Sequence, residues 1–232
     1  MNPTLNILGI SGSLRAQSRN TGLLRFAKQC LPPTVNFQIA DLADVPFYNA
    51  DRCDSKPEPV QMLIRQVTEA DALVLACPEY NYSIAPALKN ALDWVSREPD
   101  CAPFNGKPVA IMGAGGGMGT SRAQYHLRQV CVYLNLRPVN KPEVFSNAFS
   151  ASFNESGDLI DPSLQQQVTA LMNALLAWHS QLTNQFSLTE KEKGTRMRCL
   201  FLFLSKRIGY FIALKGEIAR NCSMMGGRFS RT

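Results

Sequence analysis

Apolar residues follow two alternating rhythms along this chain. Short apolar runs, Leu5 to Ile10 and Ala72 to Ala76, read as strands, the second covered on both faces of a parallel sheet. Val35 to Ala40 reads as another strand, with Pro32-Pro33 closing the element before it, and Lys107 to Met112 as a fourth. Arg137 to Phe145 is the expected fifth, confined to an edge or to its ends by Pro138 and Pro142. Between the strands the apolar spacing switches to that of a helix. One face carries Leu23, Leu24, Ala27 and Cys30, and the next Val60, Leu63, Ile64 and Val67. Leu88, Ala91, Leu92 and Val95 follow in phase, then Leu127, Val130, Cys131 and Leu134. Ser55-Lys-Pro-Glu58 has the form of a capping box, and Asp161-Pro162 opens a last amphipathic helix through Leu164, Val168, Leu171, Leu175 and Trp178.

This alternation predicts an α/β protein with a parallel sheet and helices on both faces, and right-handed crossovers leave few topologies. Ligands of such sheets sit beyond the carboxyl ends of the strands. Three loops that follow strands carry unusual residues there: 11–20, 78–83 and 113–119. The first, Ser11-Gly-Ser-Leu-Arg-Ala-Gln-Ser-Arg-Asn20, joins a strand to a helix. Its glycine, hydroxyls, Asn20 and Arg15 make a phosphate cradle at a helix N-terminus, against the alternative of a plain Ser-rich connection. It is neither a dinucleotide fingerprint nor a P-loop. The second, Pro78-Glu-Tyr-Asn-Tyr-Ser83, could lie against a flat heterocycle or be an ordinary turn with packed tyrosines. The third holds Gly113, Gly115, Gly116, Gly117 and Gly119, where a planar ring could rest against backbone; a flexible loop is the alternative.

Composition removes several classes. At 232 residues, with 45% hydrophobic and 18% charged residues, the chain can bury a sizeable core. Its net charge of +6 is unevenly placed: residues 187–232 hold ten Lys/Arg against three Asp/Glu, leaving 14 against 15 in residues 1–186. The body is neutral, so the basic balance does not predict nucleic-acid binding. Seven cysteines without a C-x-x-C pair read as reduced thiols of a cytoplasmic protein. No apolar run is long enough to span a bilayer, and no export signal is apparent. The two histidines, His126 and His179, lie in helical patterns far apart, and no metal cluster or nucleophile triad is expected. A cradle beside a flat platform, without an acid–base team, implies that the reactive group belongs to a cofactor.

Four linked motifs then become specific. Gly12-Ser-Leu-Arg-Ala-Gln-Ser-Arg-Asn20, Pro78-Glu-Tyr-Asn-Tyr-Ser83, Leu88-Lys-Asn-Ala-Leu-Asp-Trp94 and Arg122-Ala-Gln-Tyr-His-Leu-Arg-Gln129 resemble the NAD(P)H-dependent FMN reductase family. Within it, the likeness is to quinone and chromate reductases of plants and bacteria, over about residues 4–184. The resemblance implies a flavodoxin-like three-layer fold with strand order 2-1-3-4-5 and bound FMN. It implies that Ser13, Arg15, Ser18 and Asn20 hold the phosphate, within a wider set that takes in Ser11, Leu14 and Thr21. Pro78, Glu79, Tyr80 and Asn81 would border the isoalloxazine, with Gly113, Gly115 and Gly116 at its other edge. The helix with Lys89, Asn90, Asp93 and Trp94 would form a dimer interface, and Arg122, Tyr125 and Glu143 would join dimers into a tetramer.

The expected activity is two-electron transfer from NADPH or NADH through FMN to a quinone, or to chromate, an azo compound or free flavin, by a ping-pong route. A flavodoxin-type electron carrier serving a protein partner is the rival, and the near-neutral body favours the enzyme. The expected organisation is a reductase domain, 1–186, followed by a basic extension, 187–232. For the extension, contact with a membrane surface or partner, disorder, and sequence foreign to the functional protein remain open.

Overall fold

A computed structural model of the chain describes residues 5–185. The extension 187–232 therefore lies outside the described residues. Packing divides the chain between Leu182 and Thr183, and the architecture below is that of the first unit, with the last helix followed to the end of the described residues.

Strand β1 (Leu5–Ser11) leads to helix α1 (Arg19–Gln29), β2 (Val35–Ala40), α2 (Glu58–Glu69) and β3 (Ala72–Ala76). A short hairpin, β4 (Glu79–Tyr80) and β5 (Ser83–Ile84), precedes α3 (Pro86–Val95) and β6 (Pro108–Gly115). Helix α4 (Ser121–Tyr133), β7 (Arg137–Pro138), β8 (Val144–Asn147) and α5 (162–185) complete the order. The central sheet is parallel, β2-β1-β3-β6, and both β7 and β8 pair with the outer edge of β6. With the hairpin forming its own ladder, the principal strands run 2-1-3-4-5, as expected.

Alternate residues of each strand feed two cores. Leu73 and Leu75 point to the face covered by Leu63 of α2, Leu88 and Leu92 of α3 and Leu127 of α4. Ala72, Val74 and Ala76 point to the other, with Leu23 and Leu24 of α1 and Leu164, Val168 and Leu171 of α5. Each large apolar side chain removed from water this way contributes about 1.5–3 kcal/mol, which is why the buried strands lack polar positions. Asp161 caps α5, its Oδ1 accepting the Leu164 N–H at 2.7 Å. Among the described residues no helix is long and apolar enough to cross a membrane.

Three expectations are corrected. The fifth strand is two pieces: residues 137–138 pair with the start of β6 and 144–147 with its end, with Pro142 in the gap. A proline cannot donate to a ladder, so pairing stops and resumes beyond it. The capping box at Ser55 does not form, because Pro57 is the N-cap and offers no side-chain bond. Glu58 pairs with Arg65 instead, at 2.7 Å. Finally, β6 does not end at Met112 but runs through Gly113, Ala114 and Gly115, which pair with Phe145, Ser146 and Asn147.

Candidate functional site

The carboxyl ends of β1, β3, β6 and β8 share one rim because the sheet is parallel. The first loop leaves β1 at Ser11, whose hydroxyl lies 3.0 Å from that of Thr21 and accepts the Ser13 N–H at 3.3 Å. Ser18 closes the loop as the N-cap of α1, its Oγ accepting the Thr21 N–H at 3.2 Å. Asn20 fixes the whole arrangement. Its amide is 4% exposed, donates to the Ala114 carbonyl at 2.9 Å and accepts the Ala114 N–H at 2.9 Å. One side chain thus completes the β6 ladder and bolts the first loop to the third. Leu14 and Arg15, between these anchors, are exposed.

The second loop is a hairpin with Asn81 and Tyr82 at its turn, both with positive φ (50° and 67°). That geometry matches strand twist, yet it strains a bulky residue such as tyrosine. The Tyr82 ring is held by the Arg122 guanidinium 3.6 Å from its centroid. Arg122 is held in turn by Glu79, whose Oε1 accepts its Nε–H at 2.6 Å. The other carboxylate oxygen accepts the backbone N–H groups of Arg122 and Ala123 at 3.1 and 3.2 Å, capping α4. A carboxylate suits a helix N-terminus, where unpaired N–H groups and the dipole are positive. Glu79 therefore spends its charge on α4, leaving Pro78, Tyr80 and the loop backbone to face a ligand.

The third loop is shorter than expected. A Cβ on Gly113 would lie 2.3 Å from the Cys77 carbonyl and 2.3 Å from Thr120 Oγ1, and one on Gly115 2.4 Å from the Gly119 carbonyl. These glycines serve close packing within the rim. Gly116 has nothing within 4 Å of where its Cβ would stand and is open.

The loops enclose a cavity of about 200 Å3. It gathers Ser13, Arg15, Ser18 and Asn20 with Pro78, Glu79 and Tyr80, and with Gly115 and Gly116. Gly113 and Asn81 do not line it, and Ser11, Leu14 and Thr21 face a separate cleft beside Asp41–Ala43. A larger apolar cavity of about 620 Å3 adjoins through Arg15 and Tyr80, walled by Leu14, Val45, Pro46, Phe47 and Pro86. Four residues that sequence reasoning missed also line the smaller cavity: Arg19, Ala114, Ala148 and Phe149. Ala148 and Phe149 follow β8, so the rule that ligands meet strand ends could have found them. Arg19 was hidden inside the first motif.

This cavity suits an anion. The first turn of α1 contains no acid, two arginines and two serines line the space, and Glu79 is already paired. Arg19 Nε is buried with no partner among the described residues, an orphaned donor that costs about 1–3 kcal/mol unless a ligand satisfies it. No side chain here is poised for acid–base catalysis. His126 is exposed, its Nδ1 3.1 Å from Ser83 Oγ, and the thiols are poor nucleophiles: burial pushes Cys77 up to about 11 and Cys131 to about 12. Among the described residues no cluster could hold a metal.

The side chains expected at interfaces are partly engaged within the chain. Trp94 is fully buried, donating to the Pro46 carbonyl at 2.8 Å, and Asn90 bonds the same carbonyl and the Tyr48 N–H. Glu143 pairs with Lys141 but stays exposed, as does Tyr125 at 66%, while Arg122 is held by Glu79.

The comparisons with known proteins agree with this geometry. An NAD(P)H-dependent FMN reductase of Pseudomonas aeruginosa is 44% identical over 180 residues, covering 77% of this chain and 97% of that protein. An NAD(P)H:quinone oxidoreductase of Solanum tuberosum is 40% identical over 182 residues, covering 75% and 93%. The solved structure of FerB, a flavoenzyme NAD(P)H:(acceptor) oxidoreductase from Paracoccus denitrificans, superposes with a TM-score of 0.69 at 26% identity, covering 76% of this chain and 98% of that one. The family profile described as NADPH-dependent FMN reductase matches residues 5–151. With its parallel sheet, a family profile over residues 5–151 and relatives matched along nearly their whole length, the chain belongs to the NADPH-dependent FMN reductase family.

Proposed function

We propose that this protein is an FMN-dependent NAD(P)H:quinone oxidoreductase. The observation that carries the reading is the convergence of three rim loops on one cavity lined by two arginines and no uncompensated carboxylate. When bound there, FMN supplies the two-electron chemistry that no side chain offers. Ser13, Arg15 and Ser18 hold its phosphate, while Asn20 positions the loop through Ala114 rather than through the ligand alone. The Glu79–Arg122 pair sets the hairpin, so that Pro78, Tyr80 and the loop backbone border the flat ring. The open backbone at Gly116 lets that ring approach closely. Chromate, azo compounds and free flavin are further acceptors of the same chemical type.

One platform serves both donor and acceptor, so the oxidised pyridine nucleotide leaves before the quinone enters. Initial-rate lines for NADPH at several quinone concentrations are expected to be parallel. Intersecting lines would show two simultaneous sites. Turnover with quinone and no added protein also separates an enzyme from an electron carrier, which would need its partner.

The reductase domain is assigned to residues 1–186, the basic segment 187–232 being an extension. The five free thiols among the described residues fit a cytoplasmic location, which cell fractionation checks. The molecule assembles as a homodimer or homotetramer. Support comes from α4, which exposes Tyr125 (66%), Val132 (80%) and Tyr133 (72%), more apolar surface than one helix of a monomer commonly leaves to water. Light scattering should give a multiple of 25.7 kDa at micromolar concentration. A fully active monomer would reject the assembly.

A further inference from the structure

The two cations of the first loop are not equivalent. Arg15 lies in the exposed stretch and borders every cavity of the rim described above, so its position is weakly determined. Arg19 opens α1 between two buried neighbours, Ser18 at 3% and Asn20 at 4% exposure. The Ser18 cap and the Asn20–Ala114 clamp hold those neighbours, so the Arg19 backbone is fixed against the cavity from both sides. Its side chain is not fixed in the same way, because the buried Nε–H has no partner among the described residues. Turning the guanidinium toward a ligand would sacrifice no Nε hydrogen bond to the protein and would gain one that the fold withholds.

We propose that Arg19 is a phosphate ligand, the second cation of the cradle, and that it makes the site select a phosphorylated flavin over the unphosphorylated nucleoside. This rests on the FMN reading above. A phosphomonoester is close to a dianion at neutral pH, since its second ionisation falls near 6. Arg15 and Arg19 together match that charge, and no acid within the first turn of α1 opposes them. A guanidinium also offers a planar fork of donors, which a phosphate can accept in pairs.

The test titrates the flavin-free, full-length protein with FMN and with riboflavin, following quenching of flavin fluorescence. Arg19→Ala is expected to weaken FMN by about tenfold or more while leaving riboflavin within about twofold. Arg19→Lys should fall between, because an ammonium keeps the charge and loses the fork. The dependence of FMN affinity on salt should also flatten in Arg19→Ala. Equal weakening of both flavins would mean that Arg19 only packs against the loop, and unchanged FMN affinity would mean that it does not touch the phosphate. Either result overturns the proposal. Thermal melts followed by circular dichroism confirm folding, and Arg19→Gln, of similar length, replaces the alanine variant if that one fails to fold. The underlying reading fails separately. A wild-type protein that binds riboflavin as well as FMN, with Arg15→Ala unchanged, would remove the cradle itself.

Discussion

Gly22→Ala is expected to lower the melting temperature by about 5–12 °C, although alanine is the better helix former. On an exposed helix this change would stabilise by about 1 kcal/mol. Here the new Cβ would stand 1.8 Å from the Gly157 carbonyl oxygen and 3.2 Å from Asp158 Cα. Neither side can yield freely. Gly157 has φ of +81°, and a Cβ on it would itself lie 2.7 Å from the Gln17 carbonyl, so the two segments already touch backbone to backbone. Arg25 pins the same turn, with Nε donating to Asp158 Oδ1 at 2.5 Å and Nη2 to the Ser156 carbonyl at 3.3 Å. Relief requires pulling the 154–158 turn off α1 and breaking those bonds. Overpacking of this kind outweighs helix propensity and leaves a net loss of about 2–4 kcal/mol. Because α1 carries Ser18, Arg19 and Asn20, flavin retention should fall with stability. A melting temperature that is unchanged or raised would show that the contact is not close.

The second large effect is expected at Asn20. Replacing it by alanine leaves the Ala114 N–H and carbonyl without their partners at a buried point of the rim. Each orphaned group costs about 1–3 kcal/mol, so Asn20→Ala should destabilise by about 2–4 kcal/mol. It should also weaken FMN, since the first and third loops lose their bolt. Asn20→Asp is the informative companion. Its carboxylate can still accept the Ala114 N–H, but it cannot donate to the Ala114 carbonyl and it adds negative charge beside the cradle. Stability should partly recover while FMN affinity does not. If Asn20→Ala melted within about 1 °C of the wild type, the clamp would contribute nothing measurable.

Much of this was readable along the chain because the signals are local. The run Ala72–Ala76 has the bounds its apolar pattern predicts, since a strand covered on two faces admits few polar residues, and Val35–Ala40 also has its expected bounds, as an edge strand with Asn36 and Gln38 exposed. Parallel order then places all strand ends on one rim, so loops 11–20 and 78–83 could be paired before any contact was known. Gly113 was misassigned for the opposite reason. Glycine ordinarily signals a loop, yet the ladder with β8 and the approach of Cys77 and Thr120 require glycine inside a strand. Ser55 and Glu58 had the right spacing for a cap, but Pro57 entered the helix first and Glu58 turned to Arg65.

The sequence by itself therefore determined the α/β class through its periodicity, while the resemblance of four motifs supplied the family and, with it, the strand order and the cofactor. Both signals rest on residues that are close in the chain. Tertiary structure decided what individual side chains do there. Asn20 spends both ends of its amide on Ala114, 94 residues away, and Glu79 spends its carboxylate on Arg122 and the start of α4, 43 residues away. Arg19 is left with an unsatisfied donor beside the cavity. Hydrogen-bonding capacity can be read from a residue's type, but its allocation depends on which groups folding brings within about 3 Å, and that is a property of the packed chain.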